Sequence, residues 1–158
     1  MQKITPYLWF DNQAEDAVNT YISLFKDGKI TNLARYGDAG PGPSGSVMMI
    51  NFQLEGQDFV ALNGGPVFKF TEAISFFVHC EEQNEVDMLW DRLSDGGEKG
   101  QCGWLKDRWG ISWQIIPAAL SELLQDPDPE KSARVMHAML KMTKIEVATL
   151  RKAYNGEE

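Results

Sequence analysis

Apolar and polar positions along the chain fall into two similar blocks followed by a different tail. "ITPYLWF" at 4–10 is a run of β-formers that predicts a buried strand. It stops at Asp11-Asn12, and Asn12 with Glu15 has the spacing of a capping box. Ala14, Ala17, Val18, Tyr21, Leu24 and Phe25 follow at helical spacing, and Gly28 closes the helix. "KITNLARYG" predicts a strand, "DAGPGPSG" a flexible loop, and "SVMMINFQL" with "QDFVALN" a hairpin around Glu55-Gly56. The order then recurs. "AISFFVHC" reads as a strand, and Val86, Leu89, Trp90 and Leu93 repeat the i, i+3, i+4, i+7 pattern of Ala14, Ala17, Val18 and Tyr21 at an offset of 72 residues. "KGQCGWLK" and "ISWQIIP" predict strands around the turn Asp107-Arg108-Trp109-Gly110. A strand–helix–strands unit is thus expected twice, over 1–66 and, in shorter form, 67–118, within one compact domain overall.

Residues 119–158 read as a helical tail. Asp128-Pro129 is an N-cap followed by a first-turn proline. Thr143 and Glu146 have the spacing of a second capping box. Val135, Met136, Met139 and Leu140 form an apolar stripe that must be buried, either on the chain's own sheet or against a second subunit. The second reading makes a homodimer, with sheet edges and C-terminal helices as the expected contact.

Charge and composition narrow the partners. The formal charge of −8 disfavours nucleic acid and anionic membranes, both of which need basic patches. No apolar run approaches the ~20 residues of a membrane span, and no charged-then-apolar leader opens the chain. Cys80 and Cys102 lack a CxxC spacing and read as reduced thiols of a cytoplasmic protein.

Three of the five tryptophans lie within "GQCGWLKDRWGISWQIIP", residues 100–117. Trp113 and Gln114 are strand neighbours and must face opposite sides. His79 and Cys80 are neighbours too, so they cannot readily act as base and nucleophile together. His137 has no acidic or thiol partner one helical turn away. Cys102 has no histidine beside it to lower its pKa and reads as a small buried hydrophobe. Lys69 and Lys106 are the nearest cations to a supposed pocket mouth, while Glu72 and Asp107 are the carboxylates available for acid–base work.

The stretches "RYGDAGPGPSGSVM", "ALNGGP-FKF" and "CGWLKD-WGISWQIIP", with the doubled βαβββ order, resemble the PhnB-like branch of the vicinal oxygen chelate superfamily. The resemblance covers about residues 3–118. It implies an α+β glyoxalase-like fold, in which paired βαβββ modules curl into a half-open cup, with a C-terminal helical extension added. Enzymes of that superfamily carry up to four metal ligands on the cup floor. The resemblance puts those positions at Ile4 or Thr5, at Leu62 or Asn63, at Ala73 or Ile74, and at Gln114, seven residues after the first aspartate of the turn. None is a histidine or carboxylate, so no metal or other cofactor is expected. The label 3-demethylubiquinone-9 3-methyltransferase often attached to this branch lacks a nucleotide-binding glycine turn here.

The expected binding residues are Trp9, Asn63, Cys102, Trp104 and Gln114, lining a pocket for a small amphipathic or aromatic ligand. No catalytic residue is assigned. Three functions stay open: a metal-free small-molecule-binding protein, an enzyme of lyase, isomerase or dioxygenase type with unusual ligands, and a structural or regulatory dimer with a vestigial pocket.

Overall fold

The computed structural model describes residues 2–157 and divides into two compact units, the first ending at Phe70 and the second beginning at Thr71. The first unit contains β1 (Tyr7–Phe10), α1 (Ala14–Leu24), β2 (Lys29–Arg35), β3 (Val47–Leu54) and β4 (Gln57–Asn63). The second repeats the order with β5 (Ser75–Cys80), α2 (Gln83–Ser94), β6 (Glu98–Lys99), β7 (Trp104–Lys106) and β8 (Ser112–Pro117). It continues into α3 (Ala118–Leu124), α4 (Pro129–Leu140) and α5 (Val147–Tyr154). Each unit holds a four-stranded sheet, ordered β1-β4-β3-β2 and β5-β8-β7-β6. In both, the first strand pairs parallel to the last and the other pairs are antiparallel.

The equivalent helices bury equivalent stripes. Ala14, Ala17, Val18 and Tyr21 are at most 1% exposed, and Val86, Leu89, Trp90 and Leu93 at most 3%. The doubled pattern in the sequence is therefore a doubled packing solution. A helix stripe of this width must be buried against another apolar face, here the sheet of its own unit. Glu55 and Gly56 both have positive φ, 52° and 81°, the geometry a two-residue hairpin needs to match strand twist. The loop after β2 folds back on itself: Tyr36 N–H donates to Ser46 O and Gly45 N–H to Tyr36 O. A Cβ at Gly42 would overlap the Tyr36 ring, so the glycine permits that closure.

Both anticipated capping boxes are replaced by remote amides. α1 begins at Ala14 rather than at Asn12, and its first N–H donates to Asn63 Oδ1 of β4 at 2.9 Å. At α5, neither Thr143 nor Glu146 caps; Val147 N–H donates to Gln83 Oε1 of α2 at 2.7 Å. Gln83 Nε2 donates in turn to Ile145 O, 2.9 Å away. Local spacing could not show this, because the acceptors come from strands and helices distant in sequence. Asp128 does cap α4, accepting from Glu130 N–H at 2.9 Å and Lys131 N–H at 3.4 Å.

The segment anticipated as one strand, 99–106, is broken by a turn at 101–103. Cys102 and Gly103 have φ of 58° and 84° there. Their N–H groups donate to Met142 O and Thr143 O of the tail instead of to a neighbouring strand. The tail packs within its own unit: Val135, Met142, Ile145 and Leu150 join Ile116 and Leu120 in one core cluster, with Met139 against it. The apolar stripe of α4 is thereby split. Val135 is fully buried, while Met136 and Leu140 stay 40% and 57% exposed.

Gln83 ties α2 to the tail with both ends of its amide, and Lys144 adds an ion pair to Asp87 at 2.8 Å. Gln83→Ala should lower the unfolding free energy by about 1–3 kcal/mol, because two part-buried backbone groups lose their bonds. Urea denaturation checks this; an unchanged midpoint would show that the amide clamp contributes nothing.

Candidate functional site

The site-bearing sheet of the second unit is ordered by its turn. Asp107, 3% exposed, accepts from Trp109 N–H and Ile111 N–H on Oδ1, each at 3.0 Å. Its Oδ2 accepts from Trp113 Nε1–H at 2.9 Å. A carboxylate so committed holds a turn and is not poised for acid–base work. Gly110, at φ 97°, completes the reversal by donating to Asp107 O. The turn fixes the register Trp104↔Gln114 and Lys106↔Ser112 between β7 and β8. Across the parallel pair, Ser75 stands opposite Ser112 and Phe77 opposite Gln114.

Strand alternation then sorts the side chains. Leu105, Trp113 and Ile115 are buried on the face that packs under α2. Trp113 lies on that face with Phe76, ring centroids 5.2 Å apart. The opposite face carries Ser75, Phe77, Trp104, Lys106, Ser112 and Gln114. Phe77 is 43% exposed and stands 4.7 Å, ring to ring, from His79. Gln114 Nε2 donates to Ser75 Oγ at 3.0 Å. This face is aromatic with convergent amide and hydroxyl groups, the composition of a site for a small organic molecule. Ser75, Ser112 and Phe77 were not read from the sequence as site residues. Their signal was register: Ser112 lies two residues before Gln114 and so shares its face.

The five expected binding residues fare differently. Trp104 and Gln114 are brought together as register partners. Cys102 does not share a strand face with Trp104. It sits in the turn at 101–103, and its thiol lies 3.6 Å from Met139 O, toward the tail. Trp9 and Asn63 belong to the first unit. Trp9 Nε1–H donates to Gly65 O at 2.8 Å, and its ring meets Phe68 edge-on at 4.9 Å. Asn63 lines a cavity of about 660 Å³ with Asp11, Asn12, Glu15, Asp16 and Tyr36. Its amide is already engaged, accepting from Ala14 N–H and donating to Val47 O, and its own carbonyl accepts from Tyr36 Oη at 2.5 Å. Asn63 is a structural crosslink.

His79 is exposed and Cys80 only 1% exposed, as alternation requires. Burial is the main cause that pushes the Cys80 thiol up to about 12, with Glu85 adding to it. It is a neutral thiol at physiological pH. Glu72 pairs with Lys106. That hydrogen bond lowers the Glu72 pKa and raises that of Lys106.

Two units of one topology, each with a helix on one sheet face and an open second face, define a glyoxalase-like fold. A family model described as 3-demethylubiquinone-9 3-methyltransferase matches residues 2–116, and the chain belongs to that family, within the vicinal oxygen chelate superfamily. It is similar to a PhnB protein from Bacillus cereus at 37% identity, with 74% of this chain and 100% of that chain covered and a TM-score of 0.69. A protein from Pseudomonas aeruginosa shares the fold at 20% identity, covering 74% of this chain and 98% of that one, with a TM-score of 0.62. No curated protein matches.

The metal that enzymes of this superfamily use does not fit the residues present. Gln114 offers a neutral amide turned to Ser75, and Ile4, Thr5, Leu62, Asn63, Ala73 and Ile74 occupy the other expected positions. A divalent ion of this type needs carboxylate, imidazole or thiolate donors. Among the described residues no group of three or more His, Cys, Asp or Glu side chains is placed to hold one.

Asp107→Asn replaces one acceptor oxygen by a donor facing N–H groups. It should cost about 2–4 kcal/mol, since hydrogen bonds to a charged acceptor are lost and a donor is left unpaired. Thermal denaturation with near-ultraviolet circular dichroism at Trp113 checks it; wild-type stability with an unaltered tryptophan signal would contradict the role assigned to this carboxylate.

Proposed function

We propose that the protein is a metal-free small-molecule-binding protein that works as a homodimer, with the open face of the β5–β8 sheet as its ligand surface. The observation that carries this is Gln114. It stands where the resemblance puts a glutamate metal ligand, and it spends its amide on Ser75 beside Trp104 and Phe77. A neutral amide with aromatic neighbours orients an organic ligand without polarising it through a metal. The methyltransferase description of the family is not adopted as an activity. The glycine-rich segment after β2 closes onto Tyr36 and leads into a strand, whereas a nucleotide-cradling turn leads into a helix.

Dimerisation is supported by apolar surface. Met136 and Leu140, one helical turn apart on α4, are 40% and 57% exposed. An exposed apolar pair of this kind is what a contact surface would cover. The two cysteines are free, which suits a reducing, cytoplasmic location. Among the described residues no helix is long and apolar enough to cross a membrane.

Tryptophan fluorescence and calorimetry against a panel of small aromatic and amphipathic compounds test the reading. Binding that is unaffected by chelators and weakened by Gln114→Ala is expected. Failure of every compound to bind, or binding that requires an added divalent metal, would overturn it. Gln114→Glu should not create tight metal binding, and should cost about 1–3 kcal/mol of stability through an unpaired carboxylate. Light scattering at micromolar concentration should give about twice the 17.8 kDa chain mass, and the monomer mass would reject the dimer.

A further inference from the structure

The open face of the second sheet ends in a smaller recess of about 150 Å³, walled by Glu72, Glu98, Lys99, Trp104, Lys106 and Ser112. Two independent features point to what it takes. The first is the Ser112 hydroxyl, which is 1% exposed and has no hydrogen-bond partner among the described residues. A buried hydroxyl without a partner is costly in a folded protein, and such groups often serve a ligand. Register sets Ser112 beside Lys106 on one side and Ser75 on the other. The second is the cation opposite. The Lys106 ammonium is held by the carboxylate of Glu72. Glu72 comes from a segment outside any strand or helix, and its side chain is 58% exposed. A carboxylate therefore already occupies this cation, delivered by a turn rather than by a strand or helix.

We propose that the Ser112–Lys106 end of this face recognises the carboxylate of a small aromatic acid, and that Glu72 is a resident stand-in which the ligand displaces. The proposal rests on the reading of this face as the ligand surface and names the class of ligand. One ligand oxygen takes the place of the Glu72 oxygen on Lys106, and another accepts from Ser112. The aromatic body lies against Trp104. The exchange is neutral in charge, because one carboxylate replaces another. Glu98, the register partner of Lys106, stays in place and disfavours a second negative charge, so monoanions are selected over phosphate-like dianions.

Calorimetry with benzoate and its neutral isostere benzamide separates the possibilities, using the full chain and the variants Glu72→Gln, Lys106→Met and Ser112→Ala. Benzoate should bind about tenfold or more tightly than benzamide, since a charge-assisted pair is at stake. Glu72→Gln, an exposed and structurally mild change, should tighten benzoate several-fold and leave benzamide unchanged. Lys106→Met should erase the difference between the two compounds, and Ser112→Ala should weaken benzoate. Equal affinity for both compounds in wild type and Glu72→Gln would overturn the carboxylate assignment while leaving the face a ligand site. Binding of neither compound would also overturn it, and the wider compound panel would then decide whether the face binds anything.

Discussion

The site hangs on one buried carboxylate. Asp107 gathers the N–H groups of Trp109, Ile111 and the Trp113 indole, and so closes the turn between β7 and β8. A one-residue slip in that hairpin would send Gln114 to the helix side and Trp113 to the open side. The register that results puts Trp104, Lys106, Ser112 and Gln114 on one surface. Asp107 thus serves geometry, and Gln114, seven residues on, presents an amide to the open face.

The duplicated units use a second shared device. Each ties a helix N-terminus to a distant element through a side-chain amide: Asn63 for α1 and Gln83 for α5. An amide can accept from the free helical N–H and donate elsewhere at the same time, which a serine or aspartate cap does less well. Asn63 also donates to Val47 O, and Gln83 to Ile145 O. The Asn63 crosslink joins β4, α1 and β3, and the Gln83 crosslink joins α2 to the segment that enters α5. In the second unit this lets a tail outside the βαβββ pattern become part of the core, with Ile116 and Val135 in one cluster.

Much of the fold was legible because it rests on periodicity. The two helix stripes, the Glu55-Gly56 hairpin, the Asp107 turn and the Asp128 cap all follow from residues close in sequence. The departures share a cause. Asn12, Thr143 and Cys102 sit in locally plausible signals, but longer-range partners won: Asn63 and Gln83 took the caps, and the Met142 and Thr143 carbonyls drew the Cys102–Gly103 amides out of the sheet. The candidate site divides in the same way. The facing of Gln114 against Trp113 follows from alternation, and the pairing of Gln114 with Trp104 from the hairpin. The facing of Ser112 follows from the same alternation, while the part played by Ser75 required the parallel β5–β8 register, which no local pattern encodes.

The open sheet face therefore has an order of chemistry: aromatic at Phe77 and Trp104, amide at Gln114, hydroxyl and paired charge at Ser112, Lys106 and Glu72. None of these groups is a strong metal donor set, and all can orient an organic molecule. A crystal structure with anomalous diffraction maps, from protein grown with divalent metals and purified without chelators, tests this most directly. The expected result is no anomalous peak at Gln114, with its amide still donating to Ser75. A peak about 2.0–2.2 Å from the Gln114 side-chain oxygen, the distance of a genuine oxygen–metal bond, would contradict it.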